Sequence, residues 1–145
     1  MTLDLPDLAA MEALGWRIAA RLEAGDVVAL TGALGTGKTT LARAVITALG
    51  HRGEVPSPTF TLIETYDALE PRLVHADFYR LERPDDVAEL GLDDYRDGAA
   101  LIAEWPDRAG GFAHEPGCLS ITLQTVGAGR IAIVEPGHDW LTRWP

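Results

Sequence analysis

Lysine is almost absent from this chain: of its 12 Lys plus Arg residues only Lys38 is a lysine, and there is no asparagine at all. The missing asparagine excludes the Asn-Lys-x-Asp element by which guanine-nucleotide switches generally read their base. Positive charge is scarce altogether. Against those 12 stand 22 acidic residues, a formal net charge of -10 at pH 7, which argues against a domain that holds nucleic acid unaided, because such binding is driven by Lys and Arg neutralising phosphates. The single cysteine, Cys118, cannot form an internal disulfide and suits a reducing compartment. His51, His75, His114 and His138 are scattered without zinc-ligand spacing. No apolar run approaches the ~20 residues needed to cross a bilayer, and the start, Met1-Thr2-Leu3-Asp4-Leu5-Pro6-Asp7, lacks the basic and apolar regions of a signal peptide. A cytoplasmic protein with no membrane segment is expected.

What is present centres on one stretch. Gly32-Ala33-Leu34-Gly35-Thr36-Gly37-Lys38-Thr39 fits the P-loop pattern G-x-x-x-x-G-K-[ST] at every specified position. It is preceded by the apolar run Asp26 to Thr31, which reads as a buried strand, and followed by Thr40 to Leu49, which is rich in helix formers. Glycines here let backbone N–H groups close around a polyphosphate at a helix N-terminus. Gly32, Leu34, Gly35, Thr36, Gly37, Lys38, Thr39 and Thr40 are therefore assigned to the nucleotide. Lys38 would reach the terminal phosphates and Thr39 would ligate Mg2+. That the only lysine stands here is consistent, since a compact ammonium fits among phosphate oxygens where a planar guanidinium does not.

At 145 residues, 47% of them hydrophobic, the chain is expected to form one domain over residues 1–145. Leu3 to Leu5 reads as a short edge strand stopped by Pro6. Asp7 caps a helix to about Glu23 with Leu8, Met11, Gly15, Ile18 and Leu22 at helical spacing, and Gly25 ends it. After a loop over His51 to Pro58, an alternating strand runs from Phe60 to Tyr66, and Leu73 to Tyr79 returns antiparallel to it, giving a mixed sheet. Thr59, at the mouth of the first of these strands, is either a hydroxyl that senses the γ-phosphate or part of a Ser-Pro-Thr turn. Asp77 ends its strand and is a candidate to face the nucleotide. Pro84 to Leu90 reads as a short helix closed by Gly91.

Glu82, Asp85, Asp86, Glu89, Asp93, Asp94 and Asp97 form an acidic stretch, read either as a solvated face or as a docking surface for a basic partner. Ala99-Ala100-Leu101-Ile102-Ala103-Glu104 has the form of a Walker B element, a buried strand delivering one acid, Glu104, to Mg2+ beside the P-loop. Pro106 to Phe112 forms a helical turn, and Cys118 to Thr125 with Arg130 to Glu135 makes a terminal antiparallel hairpin. Residues 136–145 are a tail with Trp140 and Trp144, to which no role is assigned. No arginine stands out as a cis finger; Arg43 lies along a helix and Arg80 is the nearest candidate. The fold class is α/β, a P-loop NTPase-like three-layer fold with a mixed central sheet and flanking helices.

In this order, the P-loop, Ser57-Pro58-Thr59-Phe60-Thr61, His75-Ala76-Asp77-Phe78-Tyr79-Arg80-Leu81, Glu89-Leu90-Gly91-Leu92 and Glu104-Trp105-Pro106 resemble the TsaE (YjeE) family, bacterial P-loop ATPases required to make threonylcarbamoyladenosine in tRNA. The likeness runs from about Pro6 to Thr125. It implies ATP and Mg2+ as ligands, TsaD and TsaB as partners, and tRNA met only through that complex. By position it implies that Lys38 and Asp77 serve hydrolysis and that Thr39 and Glu104 hold Mg2+. Thr59 would be a switch-like threonine and Trp105 an aromatic beside the nucleotide. Asp77 either orients the attacking water or holds an Mg2+-bound one. A small-molecule kinase, with Arg108-Ala109-Gly110-Gly111 as a lid or substrate element, and a nucleotide-dependent interaction switch are the alternatives.

Overall fold

The computed structural model describes residues 1–58 and 62–144. Among these are seven strands, β1 (Thr2–Leu5), β2 (Val27–Thr31), β3 (Ile63–Tyr66), β4 (Arg72–Asp77), β5 (Ala99–Glu104), β6 (Cys118–Val126) and β7 (Gly129–Pro136). They make one sheet in the order β1-β7-β6-β2-β5-β4-β3. The apolar run β2 lies between β5 and β6 and is parallel to both, with β4 parallel to β5 beyond. Strands buried on both faces can be continuously apolar, and β2 and β5 are so up to their last residues, Thr31 and Glu104. Antiparallel β3 closes one edge, and β7 with β1 the other. The mixed sheet is as expected, with β1 at its edge.

Helices α1 (Leu8–Ala19) and α2 (Lys38–Ala48) cover one face, where Met11, Leu14, Ile18, Leu41, Val45 and Ile46 pack on Val28, Leu30, Ile102 and Ile121. An ideal Cβ on Gly15 would come within 2.5 Å of Ala44 Cβ, so this helix pair approaches as closely as it does because position 15 carries no side chain. The opposite face is covered by α3 (Asp86–Glu89) and α4 (Leu92–Arg96) together with Phe78, Leu81 and Phe112. Three layers result.

Two helices differ from expectation for local reasons. α1 stops at Ala19 rather than Glu23 because the chain tightens into three-residue turns, Arg21 N–H to Ile18 and Leu22 N–H to Ala19, and the Asp26 carboxylate then accepts from Glu23 N–H at 2.7 Å. Leu22 still reaches the core. Pro84 to Leu90 is mostly a succession of such turns, Val87 to Pro84 and Ala88 to Asp85 among them, of which only α3 is helical; Gly91 then starts α4, which the sequence did not announce. Most of the acidic residues of this stretch are exposed on that face.

The C-terminal tail folds back on the body. Trp140 is fully buried and its indole N–H donates to Gly117 O at 2.8 Å. Arg143 grips Asp26 with both terminal nitrogens, at 2.7 and 2.9 Å, beneath the start of β2. That hydrogen bond, chiefly, raises the Arg143 pKa. Among the described residues no helix is long and apolar enough to cross a membrane. Trp140→Ala should destabilise the protein by about 3–5 kcal/mol, the usual cost of emptying a buried indole site. Chemical denaturation measures it, and a loss below ~1 kcal/mol would mean the tail is not part of the core.

Candidate functional site

Parallel pairing of β2, β4, β5 and β6 gathers the chain's loops at the carboxyl ends of these strands, the end where open α/β sheets place their ligands. The P-loop leaves β2 there. Gly32 has φ 152°, and an ideal Cβ on it would meet both Leu123 O and Thr36 Oγ1 at 2.6 Å. Gly37, at φ 101°, turns the chain into α2 and supplies no capping side chain. The N–H groups of the first helical turn are thus left for an anion.

The Lys38 ammonium lies in the concave side of this loop. It donates to Gly32 O at 2.7 Å and Ala33 O at 2.9 Å, and the residue is only 5% exposed. The Trp105 ring lies above it, 4.6 Å from Nζ to the centroid. Burial pushes the Lys38 pKa below the ordinary lysine value, against the opposing pull of Glu104 and then Asp77. Trp105 reaches this position because its backbone is left-handed, φ 55°, a conformation costly for a bulky aromatic and characteristic of functional sites.

Thr39, one residue on, donates its hydroxyl proton to Glu104 Oε1 at 2.8 Å. The other carboxylate oxygen, Oε2, is 2.7 Å from His75 Nε2. Glu104 pairs with Asp77 across β5 and β4, so the two acids stand side by side, both buried. Asp77 Oδ1 accepts from Tyr79 N–H at 3.0 Å. A hydroxyl and a carboxylate in contact are hard oxygen donors of the kind Mg2+ takes when phosphate and water complete its shell. The residues fit that ion.

A cavity of about 380 Å3 joins these groups, lined by Leu34, Gly35, Gly37, Lys38, Thr39, Thr40, Asp77, Tyr79, Glu104, Trp105 and Arg130. Gly32 and Thr36 lie in the same loop, and Thr36 donates to Ala33 O at 2.8 Å. Thr59 falls outside the described residues. A smaller cavity of about 190 Å3 adjoins it through Gly37, Thr40 and Arg130, with apolar walls from Leu5, Pro6, Leu8 and Met11. A cavity of about 790 Å3 lies at the opposite end, under the tail; its buried carboxylate, Asp26, is already paired with Arg143.

Three residues in or behind the cavity were given no role by the sequence. Arg130, whose guanidinium donates to Gly35 O at 3.2 Å, arrives because the β6–β7 turn ends beside the P-loop. Nothing local marks it. Tyr79 lies 4.9 Å, ring to ring, from Trp105, and Arg108 stacks over both rings. His75 had only its alternation within an apolar strand as a signal. Arg43 donates to Val55 O and does not line the cavity.

The family described as threonylcarbamoyl adenosine biosynthesis protein TsaE matches residues 5–131. The tRNA threonylcarbamoyladenosine biosynthesis protein TsaE of Haemophilus influenzae is 38% identical over 122 residues, 79% of this chain and 77% of that protein. Its counterpart from Streptomyces coelicolor is 45% identical over 98 residues, 66% of each. The crystal structure of Bacillus subtilis YdiB superposes with a TM-score of 0.79 at 26% identity, covering 99% of this chain and 90% of that one.

The lowered Lys38 pKa has a consequence for stability. Between the folded value and 10.5 the unfolded chain binds more protons at this residue than the folded one, so the folded state gains as pH rises through that window. Unfolding free energy of the wild type relative to Lys38→Met should therefore climb from neutral pH toward 10.5. Matched denaturant titrations measure the difference, and a falling difference would contradict the burial of a charged ammonium.

Proposed function

We propose, from the premise that this chain belongs to the TsaE family, whose members are tRNA threonylcarbamoyladenosine biosynthesis proteins, that it is an Mg2+-dependent ATPase sustaining that modification. The observation that carries this reading is the convergence of Lys38, Thr39, Asp77 and Glu104 on one cavity. Residues 1–145 act as one ATPase domain, in the cytoplasm.

The phosphates of ATP lie along the P-loop, where first-turn N–H groups of α2 and Lys38 carry the positive potential. Lys38 exchanges the carbonyls of Gly32 and Ala33 for phosphate oxygens. Thr39 and Glu104 hold Mg2+, which when bound supplies charge neutralisation on the phosphates. Asp77, beside Glu104, orients the attacking water and accepts its proton. Trp105 excludes solvent above Lys38. The adjoining apolar cavity receives the adenine ring, with Arg130 at the junction. Thr59 is proposed as the switch-like threonine.

A net charge of -10 makes a direct grip on tRNA unfavourable, so the tRNA is met through a more basic partner, the TsaD–TsaB complex. The exposed acidic residues on and around α3 and α4 offer such a partner an electrostatic approach. Arg130 and Arg108 lie around the cavity, yet each is already engaged with a backbone carbonyl, Gly35 O and Tyr79 O. Turnover alone is slow, and the partner pair accelerates it at least about tenfold by completing the site. An unchanged rate on adding the pair would dispose of that coupling.

Variants separate binding from hydrolysis. Lys38→Ala should abolish ATP binding in calorimetry, whereas Asp77→Ala should bind ATP yet turn over about 100-fold more slowly. Reconstituted tRNA modification, counting turnovers per transferase, then tests the role. Full modification with Asp77→Ala would convert the reading from ATPase to nucleotide-dependent switch.

A further inference from the structure

His75 is the one fully buried member of the site, with 0% exposure, and neither phosphate nor water binding has any direct use for it. It sits in mid-β4 between Val74 and Ala76, opposite Ile102 of β5 on one side and Glu64 of β3 on the other. Its Nε2 is 2.7 Å from Glu104 Oε2, while Nδ1 has no hydrogen-bond partner among the described residues. An aliphatic side chain would leave no nitrogen unsatisfied. The histidine thus carries a hydrogen-bonding deficit on one side of its ring and a strong contact on the other.

That contact falls on the only oxygen of Glu104 not facing Thr39. A carboxylate on a flexible side chain is fixed in rotation when both oxygens are held, and this one is held by Thr39 from α2 and by His75 from β4. Since a carboxylate only accepts, the proton in the His75 contact belongs to Nε2. We infer that His75 is a positioning residue: its Nε2–H pins Glu104 Oε2, leaving Oε1 aimed at Thr39 and at a divalent cation between them. This rests on the Mg2+-dependent ATPase reading and deepens it, in the manner of outer groups that orient metal ligands elsewhere.

The test compares two polar substitutions of similar size. In His75→Gln the amide nitrogen reaches as far as Nε2 and can replace its hydrogen bond; in His75→Asn it reaches only as far as Nδ1 and cannot. Mn2+ titrated into protein with a non-hydrolysable ATP analogue, followed by loss of the free-ion EPR signal, should show affinity weakened about 10–100-fold in His75→Asn and restored to within roughly threefold of wild type in His75→Gln. Nucleotide affinity measured in EDTA should be the same in all three proteins. Equal Mn2+ affinity in the Gln and Asn variants would overturn the inference. A measurement on the wild type needs no variant to fold: the imidazole 15N shifts of His75 should report a proton on Nε2, and a ring protonated on Nδ1 alone would overturn it equally. If wild-type protein with the analogue takes up no Mn2+, the ATPase reading itself fails, an outcome distinct from a variant difference.

Discussion

Glu104 is where separate stretches of chain are made to meet. Its backbone is locked between Leu30 of β2 and Asp77 of β4 by parallel pairing, and its side chain receives Thr39 from the start of α2 and His75 from β4. At 2% exposure the carboxylate depends on those contacts, because a buried charge without partners is strongly disfavoured. The dependence runs outward. A register slip of one residue between β2 and β5 would turn Glu104 to the opposite face, away from α2, so the pairing of three strands and the geometry of the site are one constraint.

The electrostatics follow from that arrangement. Two buried acids, Asp77 and Glu104, line the cavity beside the P-loop in a chain that is already strongly negative. Against them stand Lys38, the N-terminus of α2 and Arg130. Lys38 alone is a poor counterweight, since burial lowers its pKa and its nearest acceptors are backbone carbonyls. On the proposed reading, a divalent cation between Thr39 and Glu104 would reverse the balance locally, and metal and nucleotide would then bind together rather than separately. The left-handed Trp105 belongs to the same logic. Its ring shields the ammonium from water and raises the strength of every charge interaction beneath it.

Most of this could be read from the chain because the decisive signals were local. The P-loop, its flanking strand and helix, and the strand ending in Glu104 each carry their pattern within ten or so residues, and the three-layer α/β fold with a mixed sheet follows from them. Asp77 was legible as the last residue of an apolar strand. Arg130 and Tyr79 were not, because they reach the cavity through strand order, and strand order is set by pairings between segments remote in sequence. His75 was read only as one of four histidines without zinc-ligand spacing, and no pattern in the chain pointed to its contact with Glu104. Its meaning appears only when β4 is laid beside β5. The C-terminal end of α1 and the Pro84–Leu90 segment shifted because side chains such as Asp26 and Asp86 accept hydrogen bonds from nearby N–H groups and tighten the chain into turns that periodicity does not register.

The tail was the least legible part, and its place clarifies how the site is built. Asp26 stands immediately before β2 and is held by Arg143 at one end of the strand, while the P-loop springs from the other. Trp140 fills the space beneath, bonded to Gly117 just ahead of β6. Both strands that carry the phosphate-binding end are thereby anchored at their amino ends by residues more than a hundred positions downstream of β2. A loop rich in glycine has little stiffness of its own, so the precision of the cradle must come from the strand that presents it. Fixing that strand at its far end confines conformational freedom to Gly32 through Gly37, where closing around a phosphate requires it.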